Sequence, residues 1–317
     1  MSRWWFLALG LLAASVQAEP QPDAVAWLQR IAQAVRQLNY SGTFVYQHGS
    51  QVETSRIVHM VDNTGEHEKL ETLDGPPREI IRDNDQVQCL TAEGRTIKIE
   101  HNKSHQTFPD LLPAQMETIA EGYQARLGGR QRVAGFVCQV VELVPRDKLR
   151  YGHQLCAEAH TGLLLSERMY DENGNVVEQI AFTQIAIGGT IPRSALKPRL
   201  RSIETMQASS EPAYPLDSGW GVQALPPGFR KTMEVRRAIN GKVEPVVQLM
   251  YSDGIAAVSL FIEPLMPRAS VNEGLAHHDA IHIYSRRHDA HLVTVVGEVP
   301  AAAVTQFATT VNYREKP

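Results

Sequence analysis

The chain has 317 residues, 43% of them hydrophobic and 21% charged, with a formal net charge of −4. That length allows two domains of ordinary size, and the balance is that of a soluble globular protein rather than a disordered or fibrous one. The slight acidity leaves no global basic field, so nucleic acid is not expected as a partner.

Arg3 is a short positive head, and Trp4 to Val16 is an apolar stretch too short for a bilayer core of ~30 Å. Val16-Gln17-Ala18 has the small-residue pattern of a cleavage site, so residues 1–18 are expected to be a signal peptide. Cleavage after Ala18 would remove Arg3 and take the net charge from −4 to −5. No cysteine follows the apolar stretch, so a lipid anchor is not expected there, and the mature chain should be exported and soluble.

Asp23 to Leu38 reads as an amphipathic helix, with Asp23 as its cap and Val25, Leu28, Ile31, Ala32, Val35 and Leu38 at helical spacing. A meander follows. Tyr40, Gly42, Phe44 and Tyr46 share one parity of a first strand; Arg56 to Val61 and Lys69 to Leu73 are the next two. Asp74-Gly75-Pro76-Pro77 stops the third, because proline cannot donate to a ladder. Gln86 to Leu90 and Thr96 to Glu100 are further strands, and His101 to Pro113 is a loop. Ala114 to Leu127 has helical spacing and is stopped by Gly128-Gly129. Arg132 to Val144, Tyr151 to Ala159, Leu163 to Tyr170 and Val176 to Ile187 are long strands. Asn173-Gly174 turns the last pair. About nine antiparallel strands with two helices predict an α+β domain built on a strongly curved sheet or partial barrel. Val137, Val140, Val141, Leu143 and Val144 make one strand apolar on both faces, so a second helix or an apolar ligand is expected over the second face.

Gly188 to Ser218 changes character, with paired glycines, prolines and a basic run. The expected division is a first domain over 19–205, a linker over 206–218 and a second domain over 219–317. In the second, Arg230 to Ile239, Glu244 to Tyr251, Ile255 to Glu263, Ala280 to Ser285 and Leu292 to Val296 read as strands, and Ala301 to Val311 as a closing helix. That is a small antiparallel α+β domain.

Cys138 and Cys156 are placed symmetrically about Asp147, which a hairpin would bring within disulfide reach; the alternative is three small buried thiols, Cys89 included. Candidate chemistry is sparse. The chain contains no HExxH, no G-x-S-x-G and no phosphate-binding loop, so catalysis, a cofactor or a metal is not expected. His277, His278, His282, His288 and His291 lie close in sequence, and solvated loop histidines account for them. Arg193, Lys197, Arg199 and Arg201 form a basic junction, and Arg230 and Arg236 lie on one strand. On an otherwise acidic chain these fit an acidic peptide segment or an anionic lipid. The Tyr40, Phe44 and Tyr46 face suits either core or an apolar ligand.

Several ordered motifs now stand together. They are Tyr40-Ser41-Gly42-Thr43-Phe44-Val45-Tyr46, Arg132-Val133-Ala134-Gly135, Val144-Pro145-Arg146-Asp147, Arg150-Tyr151-Gly152 and Thr161-Gly162-Leu163. Further on come Leu225-Pro226-Pro227-Gly228-Phe229, Tyr251-Ser252-Asp253-Gly254, Phe261-Ile262-Glu263-Pro264-Leu265 and Val295-Val296-Gly297-Glu298-Val299-Pro300. In this order, over nearly the whole mature chain, the set resembles the RseB/MucB family, and most of all its MucB branch. The resemblance implies a periplasmic negative regulator of an envelope-stress sigma factor, with alginate production among its outputs. Such proteins bind the periplasmic part of a membrane anti-sigma factor of the RseA or MucA type and shield it from proteolysis, until lipid or lipopolysaccharide weakens the contact. It implies a lipoprotein-carrier-like large domain, an unclosed β-barrel with covering helices, and a small domain that contacts the partner. On this reading Arg193, Lys197, Arg199, Arg201, Arg230, Arg236, Tyr251 and Phe261 are expected at the partner surface. Tyr40, Phe44 and Tyr46 are expected to face lipid. A periplasmic lipid or lipoprotein carrier is the alternative, and the chain could form a homo-oligomer.

Overall fold

A computed structural model describes residues 23–100, 108–113, 116–201, 203–207, 216–237, 244–266 and 270–314. The expected signal peptide, residues 1–18, and residues 208–215 of the expected linker lie outside the described residues.

Helix α1 (Ala24–Gln37) begins where the Asp23 carboxylate accepts the Ala26 amide at 2.7 Å. Strands β1 (Tyr40–His48), β2 (Gln51–Asp62), β3 (Gly65–Thr72), β4 (Arg78–Asp83), β5 (Gln86–Thr91) and β6 (Arg95–Glu100) form the opening meander. Helix α2 (Glu117–Gly122) leads into β7 (Tyr123–Val133), β8 (Phe136–Pro145), β9 (Gly152–Glu158), β10 (Leu164–Tyr170) and β11 (Val176–Ile187). With β12 (Glu204–Gln207) these make one twelve-stranded sheet, in the order β12-β6-β5-β4-β3-β2-β1-β11-β10-β9-β8-β7. The sheet is unclosed, with β12 and β7 at its two ends. Its pairs are antiparallel except β12 with β6, which is parallel. α1 lies over β7, β8 and β10, and Trp27, Leu28, Ile31 and Val35 bury against Tyr40, Phe44, Leu155 and Phe182.

The small domain holds β13 (Trp220–Val222), β14 (Arg230–Arg237), β15 (Val246–Ser252), β16 (Ala257–Pro264), β17 (Gly274–His278), β18 (Ile281–His288), β19 (His291–Gly297), α3 (Ala301–Thr309) and β20 (Val311–Tyr313). Six strands form an antiparallel sheet in the order β14-β15-β16-β19-β18-β17; β13 pairs with β20. α3 covers the sheet, with Val304 and Phe307 packed on Leu249, Leu260 and Val295.

Four expectations need correction. The helix expected over Ala114 to Leu127 is only Glu117–Gly122, and Tyr123 onward is strand. Gly128-Gly129 is no helix stop: the register shifts between Leu127 and Arg130, a bulge. The single strand expected from Arg132 to Val144 is the end of β7 and the whole of β8, joined by a tight turn in which Ala134 and Gly135 have φ of 47° and 89°. Finally, Val140 and Val141 are buried on opposite faces of β8, as expected, but Val137 is 49% exposed, so coverage of both faces stops short of that residue.

Cys138 and Cys156 are bonded, with Cα atoms 5.4 Å apart. They are not directly opposite. Cys138 pairs with Glu158 and Cys156 with Val140, so the bond runs diagonally and the hairpin centres on Lys148.

Candidate functional site: the joint between the two sheets

The β8–β9 loop delivers Arg150 into the space between the domains, where its side chain has no exposure. Asp147 orients it: its carboxylate accepts the Leu149 amide at 3.0 Å and Arg150 Nε and Nη2 at 3.1 and 3.0 Å. From there the guanidinium reaches across. It donates to the Asp253 carboxylate at 2.6 Å and to the Pro227 carbonyl at 2.9 Å. It also lies between two rings, 5.4 Å from the Tyr123 centroid and 5.1 Å from that of Phe229. Asp253 is fully buried and turns its other oxygen onto the Ile255 and Ala256 amides at 3.0 and 2.8 Å. Burial pushes the Asp253 carboxyl up, against the pull of those amides and of Arg150.

A second contact sits at the rim. Glu121 of α2 accepts the Gly228 amide at 2.9 Å and both oxygens take Arg230 at 2.8 and 2.9 Å. The Arg230 bond holds Glu121 below the usual carboxylate range. Gly228 has φ of +83°, and a Cβ there would stand 2.7 Å from the Thr118 carbonyl oxygen, so the backbone approach needs glycine.

At the other end of the joint the concave face of the large sheet changes character. Phe44 and Phe182 face each other across β1 and β11 and are buried. One pair further along, the same face carries Tyr46, Ile180, Glu167 and Leu155; one further still, His48, Glu178, Met169 and His153. Tyr46 Oη donates to Glu178, and His153 Nδ1 stands 2.7 Å from Glu167. Small-domain residues cap this edge: His48 Nδ1 is 3.0 Å from Asp279, and Tyr151 Oη donates to the Ala280 carbonyl at 3.4 Å. Glu298 lies beside Glu178.

Between these two ends lies a cavity of about 890 Å³, floored by Leu143, Tyr151, Tyr170, Val177 and Pro300. Glu142, Asp147, Asp171 and Glu172 also line it, with Lys148 and Arg150.

The structure spreads the residues expected at a partner surface over several places. Arg193 pairs with Asp62 at 2.6 Å and Arg199 with Glu71 at 3.2 Å, while Arg201 is exposed. The Lys197 carbonyl accepts the buried Lys69 ammonium at 3.1 Å. Arg230 belongs to the joint, and Arg236 lines a cavity of about 420 Å³ with Trp220, His291 and Tyr313. Tyr251 is buried against Phe307, and Phe261 is half-buried on β16. Of the residues expected to face lipid, Tyr40 and Phe44 are packed in the large core and Tyr46 is half-buried at the joint. Among the histidines, His277 and His282 face each other across β17 and β18, and His288 and His291 flank Trp220. No group of three or more histidine, cysteine or acidic side chains among the described residues is placed to hold a metal ion.

Sequence reasoning did not single out Arg150, Asp253, Glu121 or Glu298 as a site. The signal was there only as motifs. Val144-Pro145-Arg146-Asp147, Arg150-Tyr151-Gly152, Leu225 to Phe229, Tyr251 to Gly254 and Gly297 to Pro300 each end at this joint.

Comparison with known proteins accounts for both sheets. The MucB/RseB N-terminal domain family matches residues 23–200, and the MucB/RseB C-terminal domain family matches residues 215–312. The sigma factor AlgU regulatory protein MucB of Pseudomonas aeruginosa is 33% identical over 315 residues, 96% of each chain. The sigma-E factor regulatory protein RseB of Haemophilus influenzae is 24% identical over 319 residues, 97% of each. The crystal structure of MucB in complex with MucA(peri) superposes with a TM-score of 0.76 at 32% identity, over 93% of this chain and 100% of that one.

Proposed function

This chain belongs to the MucB/RseB family, and on that premise we propose that it is a negative regulator of a sigma factor that works by binding rather than catalysis. Its partner is the periplasmic domain of a membrane anti-sigma factor of the MucA type, which it shields from regulated proteolysis. The observation that carries this is the likeness of both sheets together to MucB solved with MucA(peri). The site of action is the periplasm, reached through the signal peptide over residues 1–18; no helix among the described residues is long and apolar enough to cross a membrane. In this reading the domains run over 19–205 and 219–317 about a linker at 206–218, and the small domain supplies partner contact. The exposed Arg201 and the cavity-lining Arg236 are the basic groups offered to an acidic segment. Lipid or lipopolysaccharide binding on the large domain releases the partner, because two ligands that prefer different domain arrangements weaken each other by one reciprocal factor.

The test is a titration of the mature chain with the periplasmic segment of its cognate anti-sigma factor, with and without lipopolysaccharide fragments. Binding that weakens with lipid is the expected result. Lipid binding with no peptide binding would instead mark a periplasmic lipid or lipoprotein carrier.

A further inference from the structure

We propose that the edge of the concave face, where His48, His153, Glu167 and Glu178 of the large sheet meet Asp279 and Glu298 of the small one, is a proton-operated latch that holds the two sheets more tightly as pH falls.

The titratable contacts that cross this edge share one sign, while the Tyr151 bond to the Ala280 carbonyl does not depend on protons. Glu178 and Glu298 come from different domains, and their carboxyls lie within reach of a shared hydrogen bond. Two carboxyls can share such a bond only if one carries a proton; with both ionised they repel. His48 and Asp279, also from different domains, stand 3.0 Å apart, and their contact becomes an ion pair when the ring takes its second proton. His153 lies 2.7 Å from Glu167 and faces the same cluster, so a proton there adds a positive charge opposite Glu298.

The groups around this edge are mostly acidic. Tyr46 and His48 come from β1, Glu53 from β2, His153 from β9, Glu167 from β10, Asp171 from the turn after β10 and Glu178 from β11. The small domain adds His278, Asp279, Glu298 and His282, whose Nδ1 lies 2.8 Å from the Val299 carbonyl. With the histidines neutral, carboxylates face carboxylates across the gap, and each proton taken up removes repulsion.

The direction of titration agrees. Loss of surrounding water, with Glu178 and Glu167 beside it, pushes Glu298 up to about 7, and loss of water also pushes Glu178 up. A carboxyl raised in the closed arrangement stabilises that arrangement fully below its ordinary value, about 4.3, and the contribution is lost as pH rises through about 7. Glu298 is exposed at the rim, so solvent screening reduces the effect well below that full shift. About one pKa unit of the shift surviving corresponds to roughly a tenfold change in the closed-to-open ratio across that window.

The experiment places nitroxide labels on the mature chain at two exposed sites, Val176→Cys and Leu275→Cys, in a Cys89→Ser background, and measures the inter-label distance from pH 5.5 to 8. The expected result is a distribution that narrows to a single closed distance at pH 5.5 and gains a second, separated population at pH 8. Glu298→Gln, whose amide can donate to Glu178 at any pH, should stay closed throughout. Asp279→Asn, which removes the carboxylate facing His48, should lower the closed population. A wild-type distribution that does not change with pH overturns the latch. So does a Glu298→Gln variant, folded by circular dichroism, that opens with pH as the parent does.

Discussion

Removing Arg150 should cost the joint about 3 kcal/mol. The side chain has no exposure and gives up four hydrogen bonds, two to Asp147 and one each to Asp253 and the Pro227 carbonyl. In Arg150→Ala the Asp253 carboxylate, itself fully buried, is left without its cation. Deleting one partner of a buried pair costs about 3–5 kcal/mol, and Asp253 keeps two backbone amides, which argues for the lower end. Burial already raises the Asp253 carboxyl, and loss of Arg150 raises it further. A raised carboxyl penalises the folded state above its own pKa and is relieved below it, so the penalty should shrink as pH falls. The assay is urea unfolding of the mature chain. Of the four tryptophans, Trp27 and Trp220 lie beyond residue 18, and each is buried in a different core. Trp220→Phe therefore reports the large sheet and Trp27→Phe the small one. The two transitions should coincide in the parent and separate in Arg150→Ala. Arg150→Met with Asp253→Asn should recover at least ~1.5 kcal/mol relative to the sum of the single changes. A single-mutant cost under ~0.5 kcal/mol, or strict additivity in the cycle, would refute the account.

Three further outcomes are expected. Gly228→Ala puts a Cβ at positive φ against the Thr118 carbonyl and should cost about 1–3 kcal/mol, read as a lower urea midpoint of the joined transition. Glu79 is buried against Lys69 at 2.6 Å and accepts the Arg199 and Leu200 amides at 2.8 and 3.0 Å. Burial opposes those partners, yet together they hold its carboxyl below the ordinary value, so its contribution is present above about pH 4.3 and is lost on acidification below that. Glu79→Gln should destabilise the large domain at pH 7 by about 3 kcal/mol and should flatten that acid limb in a pH series of thermal melts. Denatured, unreduced protein should show one reactive thiol, Cys89, and reduction of the bond between Cys138 and Cys156 should lower stability by about 3 kcal/mol in matched melts.

Much of the fold is legible along the chain because one face of each long strand is buried. β16 and β19 alternate clearly, and α1 carries both its cap and its apolar stripe. The misses have physical causes. Tyr123 and Leu127 fit helical spacing and, with Ala125, strand alternation as well, so Gly128-Gly129 reads as a stop when it bulges a strand against Val140. β4 follows two prolines and has charged residues at both ends, which hides its alternation. β17 is an edge strand exposed at every residue and therefore has no apolar pattern to find. The site was harder, since Arg150 and Asp253 are 103 residues apart and each looks like an ordinary loop charge. Only burial in a shared interface turns them into a joint.

The two ends of that joint differ in how their bonds respond to solution conditions. Around Arg150 the contacts are buried, charge-assisted and tied to backbone, including the Pro227 carbonyl and the amides of Ile255 and Ala256. Such contacts yield only when desolvated charge is exposed, which makes that end the natural pivot. Around Glu178 and Glu298 the contacts are carboxyl and imidazole groups whose attraction depends on protons. The cavity of about 890 Å³ lies between them, so a small rotation at the Arg150 end would change its mouth most where the titratable groups are. A ligand that fills the cavity and a proton that closes its edge would then act on one coordinate, the angle between the sheets. A ligand's effect on that angle is set by its differential affinity for the two arrangements, whatever its total affinity. If the pivot holds, Arg150→Ala should abolish the pH dependence of the label distance as well as lower stability, because a latch on an unhinged domain has nothing to close against.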